Sequence, residues 1–68
     1  MITFIERKGK NIVTAKYDEK LDKLLEYWKN IGTVRKFKDT VYIQYVSFNY
    51  SLELLSKWKI SFKVITEL

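Results

Sequence analysis

Val34-Arg35-Lys36-Phe37-Lys38-Asp39-Thr40-Val41-Tyr42-Ile43 sets two runs of strand-forming residues on either side of an aspartate. Valine, isoleucine, threonine and the aromatic residues favour strands. Asp39 interrupts them as a turn residue, so residues 33–38 and 40–48 read as the two strands of a hairpin. The stretch also places positive charge and flat rings on strands, where a polyanion with stacked bases could meet them.

Downstream, Asn49 is suited to cap a second, shorter helix that runs to Lys57 or Lys59. Leu52, Leu54, Leu55 and Trp58 supply its apolar residues, and two lysines fall in its last turn, where the helix dipole favours cations. Ile60, Phe62 and Val64 then alternate with Ser61, Lys63 and Ile65, which predicts a final strand.

Upstream, Gly32 is placed to stop a helix. Leu21, Leu24, Leu25, Trp28 and Ile31 recur at helical spacing and form one apolar stripe, with Lys20, Lys23, Glu26 and Lys29 mainly away from it. Asp18 is the expected N-cap, Glu19 and Asp22 suit the first turns, and Glu19 with Lys23 is a favourable i, i+4 pair. The expected first helix covers 18–31. Before it, residues 2–7 and 11–17 nearly alternate in polarity around Lys8-Gly9-Lys10, whose glycine can take the positive φ of a tight turn, so they predict a first hairpin with a basic tip.

The predicted order is ββαββαβ, an α+β fold with a mainly antiparallel sheet and two helices packed on one face. An internal repeat at an offset of 30 agrees with it: Leu24, Leu25, Trp28, Lys29 and Val34 recur as Leu54, Leu55, Trp58, Lys59 and Val64. Both tryptophans then fall late in a helix, where each is expected to pack onto the sheet. With no Pro, two Gly and no low-complexity stretch, residues 1–68 are read as a single domain.

The 68 residues lie near the lower size at which a core is stable without staples, and the chain has neither Cys nor His. Stability must come from packing, and an aromatic content of 16% can supply it. The missing thiol and imidazole remove most nucleophiles, bases and metal sites, and so small a chain can hardly enclose a substrate pocket. A non-enzymatic protein with no cofactor or metal is expected. No apolar run approaches the roughly 20 residues that span a bilayer, and the first residues lack the pattern of a signal peptide; a cytoplasmic protein that does not enter membranes is expected.

The net charge of +5 bears on partners rather than on fold. Residues 1–17 carry +3 and 32–48 carry +2, whereas 18–31 carry −1 and 49–68 carry +1. The hairpins therefore hold the whole excess. Because both helices cover one side of the sheet, its other face must meet water or a partner. Along residues 41–48 both parities are apolar or aromatic, with Val41, Ile43 and Tyr45 on one face and Tyr42, Val46 and Phe48 on the other, so rings stay outside whichever set faces the helices. Rings flanked by cations can stack unpaired bases while the cations meet phosphates. The candidate nucleic-acid contacts are Lys8, Lys10, Lys16, Arg35, Lys36 and Lys38 for phosphates, with Tyr42 and Tyr45 for stacking. Tyr17, Tyr27 and Tyr50 read as rim of the core. The basic tip is equally compatible with a solvated turn and is not a P-loop, and a homodimer buried through the ring-bearing face would account for the same rings.

A basic N-terminal hairpin followed by Val34-Arg35-Lys36-Phe37-Lys38-Asp39, Tyr42, Phe48-Asn49-Tyr50, Leu54-Leu55, Trp58 and Ile60-Ser61-Phe62 resembles the small N-terminal domains of superfamily 2 helicases: the damage-recognition domain of archaeal XPB-like helicases, the N-terminal domain of phage UvsW-type helicases and the HARP module. Arg35, Phe37, Asp39, Tyr42 and Phe48 sit where that hairpin pattern runs. The resemblance covers about half of the chain, implies an α+β domain that touches DNA, and departs from the pattern in its shorter turn at Asp39-Thr40. No GxxxxGK[ST] loop is present, so it implies action without ATP, in trans on a helicase or directly on DNA.

Two functions are expected from different classes. One is a small DNA-binding accessory protein of replication, repair or recombination, of the kind phages and mobile elements encode as separate genes, with DNA favoured over RNA and a helicase as a second partner. The alternative is a viral or phage inhibitor or adaptor that docks on a host protein through an apolar face around Tyr42, Val46 and Phe48.

Overall fold

The computed structural model describes residues 1–7 and 9–67. The strands are β1 (Ile2–Arg7), β2 (Ile12–Lys16), β3 (Val34–Phe37), β4 (Thr40–Gln44) and β5 (Phe62–Glu67), and the helices are α1 (Asp22–Trp28) and α2 (Tyr45–Lys57). The ββαββαβ order and the α+β class are those predicted. The sheet has the order β3-β4-β2-β1-β5. It is antiparallel except at β1 and β5, the first and last strands, which pair in parallel.

This topology explains why both helices share one face. α1 connects β2 to the parallel β3 across β4, and α2 connects β4 to the parallel β5 across β2 and β1. The two starting strands run in opposite directions and the two connections cross in opposite directions, so crossovers of the same hand land on the same side of the sheet.

Residues of one parity on each strand meet the helices. Ile2, Phe4, Val13, Ala15, Val34, Val41 and Ile43 are all buried, and Leu21, Leu24, Trp28, Phe48, Leu54 and Leu55 close over them. Phe4 lies at the centre, edge-on to Phe48 with ring centroids 5.6 Å apart and to Phe62 at 6.0 Å.

Three sequence expectations are corrected. The strand expected over 40–48 ends at Gln44, and α2 begins at Tyr45 instead of after Asn49. Tyr45, Val46 and Phe48 suit strands, but Ser47, Phe48, Ser51, Leu54 and Leu55 are buried at helical spacing, and burying Phe48 against Phe4 outweighs the weaker local preference. The first helix is shorter than 18–31. Asp18 caps a 3₁₀ turn over Glu19–Leu21 by accepting from the Lys20 N–H at 2.9 Å, α1 ends at Trp28, and Ile31 is 65% exposed rather than part of the stripe. Lys38 leaves the strand for a two-residue turn with Asp39, at φ 55°. The two expected helix stops hold differently: Gly32 has φ 81° and its N–H reaches the Trp28 carbonyl at 2.9 Å, whereas α2 ends at Lys57 and the left-handed residue that follows it is Lys59, at φ 61°.

The offset-30 repeat corresponds to α1 with β3 and α2 with β5. Its two halves are not equally covered: Trp28 and Val34 are buried, while Trp58 is half-buried and Val64 is 38% exposed. Gly9, at φ 84°, turns the first hairpin as expected.

Candidate nucleic-acid interface

The parity opposite to the core builds the second face of the sheet. Strand pairing places Arg35, Tyr42, Thr14, Ile5 and Ile65 in one row across all five strands. Beside it lie Phe37, Thr40 and Lys16 on one half of the sheet and Thr3 with Lys63 on the other. Both α1 and α2 pack on the opposite side. Phe37 is 63% exposed, Tyr42 is half-buried, and Lys16, Arg35 and Lys63 are exposed.

Arg35 is held in place. Its Nε donates to the Gly32 carbonyl at 3.0 Å, so the guanidinium is anchored beside a groove of about 160 Å³ lined by Ile12, Gly32, Thr33, Arg35, Tyr42 and Gln44. Arg35 and Tyr42 stand directly opposite each other on antiparallel strands. Phe37 is the diagonal neighbour of Tyr42, at the roughly 7–8 Å that separates such pairs. Lys38 in the adjoining turn lies over the Phe37 ring, 5.5 Å from its centroid.

Acidic groups are segregated from this face. Of the eight Asp and Glu residues, Glu67 alone projects there by strand parity, and Arg7 holds it at 3.3 Å. Glu6 has the opposite parity, Asp39 is in the β3–β4 turn, and the remaining five lie in α1, α2 and the turns leading into α1. The face therefore presents Lys16, Arg35 and Lys63 without a compensating carboxylate among the described residues.

The candidate residues are only partly brought together. Lys16, Arg35 and Tyr42 share the open face. Lys38 adjoins it at the turn. Lys36, opposite Val41, points to the helix side, and its ammonium sits 4.4 Å from the centroid of the Tyr17 ring. Lys10 is exposed at the end of the first hairpin, in a cavity of about 510 Å³ shared with Glu6, Arg7, Gly9, Asn11, Tyr45 and Thr66. Lys8 lies outside the described residues.

Tyr45, expected on a strand as a stacking residue, lies instead on a helix and on the helix side of the sheet. As the first residue of α2 it stacks on Phe48 with centroids 6.2 Å apart and donates its hydroxyl to Glu6 Oε2. Thr66 donates to the other carboxylate oxygen at 3.1 Å. One carboxylate thus ties β1 to β5 and to the start of α2. The hydrogen bond to Glu6 and the nearby negative charge hold the Tyr45 phenol above its ordinary value of 10.0. The protein-docking face expected around Tyr42, Val46 and Phe48 is dispersed: Tyr42 is on the open face, Val46 on α2, and Phe48 is in the core at 4% exposure.

Tyr17, Tyr27 and Tyr50 lie at the rim. Tyr17 donates to Asp22 at 2.7 Å and Tyr27 to Tyr50 at 3.3 Å. These bonds raise the phenols of Tyr17 and Tyr27 above their ordinary range.

Lys63 and the stacking role of Phe37 were not singled out from the sequence. Alternation along residues 62–67 separates Lys63 from Phe62 and Val64, but its side of the sheet follows only from pairing with β1. No helix among the described residues is long and apolar enough to cross a membrane. Comparison with protein families, with curated proteins and with solved structures finds no match to this chain.

Proposed function

We propose that the protein is a nucleic-acid-binding accessory module, with DNA as the favoured ligand, that works through the open face of its sheet. The observation that carries the reading is the placement of the exposed Phe37 ring and the half-buried Tyr42 ring among Lys16, Arg35 and Lys63, on a face from which all but one carboxylate is excluded. Exposed rings on a strand surface suit unpaired bases, because every base has a π-face; each stacked base contributes about 1–3 kcal/mol with little regard to sequence. The cations neutralise phosphates and release counterions. The reading agrees with the resemblance to DNA-touching helicase domains and with a role in replication, repair or recombination beside a helicase.

Fluorescence anisotropy with short single-stranded, duplex and forked DNA and matching RNA, at about 50 and 200 mM salt, tests it. The expected result is binding to single-stranded DNA that weakens steeply with salt. Arg35→Glu should abolish most of it, and Lys36→Glu, on the other side of the sheet, should change it little. Absence of binding at the lower salt, or affinity indifferent to salt, would exclude this mechanism.

A further inference from the structure

The two edges of the sheet differ in how they meet a second copy of themselves. β3 carries Arg35 and Lys36 at its centre, so antiparallel pairing of two β3 edges about either position sets like charges face to face. β5 has no such protection. It is six residues long, contains neither Pro nor Gly, and is mostly exposed on both faces, with Val64 at 38% and Ile65 at 44%. Long, exposed, β-prone edges are templates for a further strand.

The backbone of β5 fixes which groups are unused. The Ile2 N–H donates to the Ser61 carbonyl at 3.4 Å, which turns Ser61 toward β1. Peptide groups alternate along a strand, so those of Lys63, Ile65 and Glu67 also face β1, and those of Phe62, Val64 and Thr66 face outward. We propose that β5 pairs antiparallel with β5 of a second copy, on a two-fold axis through Ile65, giving a continuous ten-stranded sheet.

Side-chain complementarity selects this register. With Ile65 opposite its own copy, Val64 and Thr66 of one chain exchange main-chain hydrogen bonds with Thr66 and Val64 of the other. Lys63 then stands opposite Glu67 of the second copy, twice, in the pairs where opposing side chains come closest. An axis through Val64 loses both ion pairs, and an axis through Lys63 opposes two lysines. Lys63 has no carboxylate partner within its own chain among the described residues. A two-fold axis perpendicular to the sheet keeps both open faces on the same side. The assembly stands on the strand edge itself and holds whether or not that face binds nucleic acid.

The test is sedimentation equilibrium of the full chain. Two six-residue edges bury little surface, so a weak dimer is expected, with a dissociation constant no higher than about 1 mM. Lys63→Glu and Glu67→Lys should each be monomeric, because each opposes like charges across the axis, and mixing the two should restore a dimer through two Glu–Lys pairs. Val64→Pro removes an outward N–H and no bond to β1, and should give a folded monomer by circular dichroism. A wild-type monomer up to that concentration, a Val64→Pro or Lys63→Glu dimer as strong as wild type, or no association on mixing would each overturn the proposal.

Discussion

The indole Nε1 of Trp28, the last residue of α1, donates to Oγ of Ser51 in the middle of α2 at 3.0 Å, and both side chains are buried. The serine hydroxyl donates in turn to the Ser47 carbonyl at 2.7 Å, and the Ser47 hydroxyl donates to that of Thr33 at 2.7 Å. A polar chain inside an aromatic core thus sets how the two helices meet, and no buried side-chain nitrogen or oxygen among the described residues lacks a partner. Ser51→Ala leaves the indole N–H dry and unpaired, at a cost of about 1–3 kcal/mol. Urea unfolding followed by tryptophan fluorescence measures it, and an unchanged midpoint would refute the role.

Phe37, exposed, and Tyr42, half-buried, both lie outside the core, so their removal should separate binding from stability. Each change to Ala is expected to weaken binding of single-stranded DNA about 5- to 150-fold, the range set by the loss of one stacked base. The thermal midpoint should stay close to that of wild type for Phe37→Ala. Equal losses of binding and stability would instead make these residues structural.

Gly32 links the fold to the candidate interface. At φ 81° an L side chain is strained, and a Cβ at this position would stand 3.2 Å from Nη2 of Arg35, whose Nε bonds the Gly32 carbonyl. Gly32→Ala is therefore expected to lower stability by about 1–2 kcal/mol and to shift the anchored guanidinium. Calorimetry reads the first effect, and a lower DNA affinity than that of an equally destabilised core variant reads the second.

Alkaline pH should loosen the attachment of α2 to β1 and β5. The Tyr45 phenol is protonated more tenaciously in the folded chain than in the unfolded one, because it donates to Glu6. Its contribution to stability is therefore complete below the ordinary value of 10.0 and is lost as pH rises through the raised folded value. Tyr17 and Tyr27 add to the same trend through Asp22 and Tyr50. Tyrosinate absorbance is expected to show a fraction of phenols titrating late. Tyr45→Phe should remove one of them and flatten the fall in stability above pH 10.

Much of the fold was legible because its signals are local. Leucine spacing gave a first helix, Gly9 and Gly32 marked turns that need positive φ, and alternation marked the strands, so the order of elements and the two-layer arrangement followed. Residues 45–48 form a helix against their local preference. Tyr, Val and Phe have strand character of their own, and only the position of Phe4 beneath them makes a helix the better burial of Phe48.

The candidate face was legible in composition and not in membership. Sequence alone assembled basic and aromatic residues on the hairpins, and the alternation of side chains already separated Arg35 from Lys36. It could not say which of the two turns outward, since either parity of β4 is apolar enough to form the core. The tertiary structure decided that by packing Val41 and Ile43 under the helices, which sends Tyr42, Arg35 and Phe37 to the other side. It also brought Lys63 across from the C-terminal strand, because the parallel pairing of β5 with β1 is a contact between opposite ends of the chain. Charge and element order are properties of the chain read locally, whereas the face a side chain occupies depends on which of two nearly equivalent apolar sets wins the shared core.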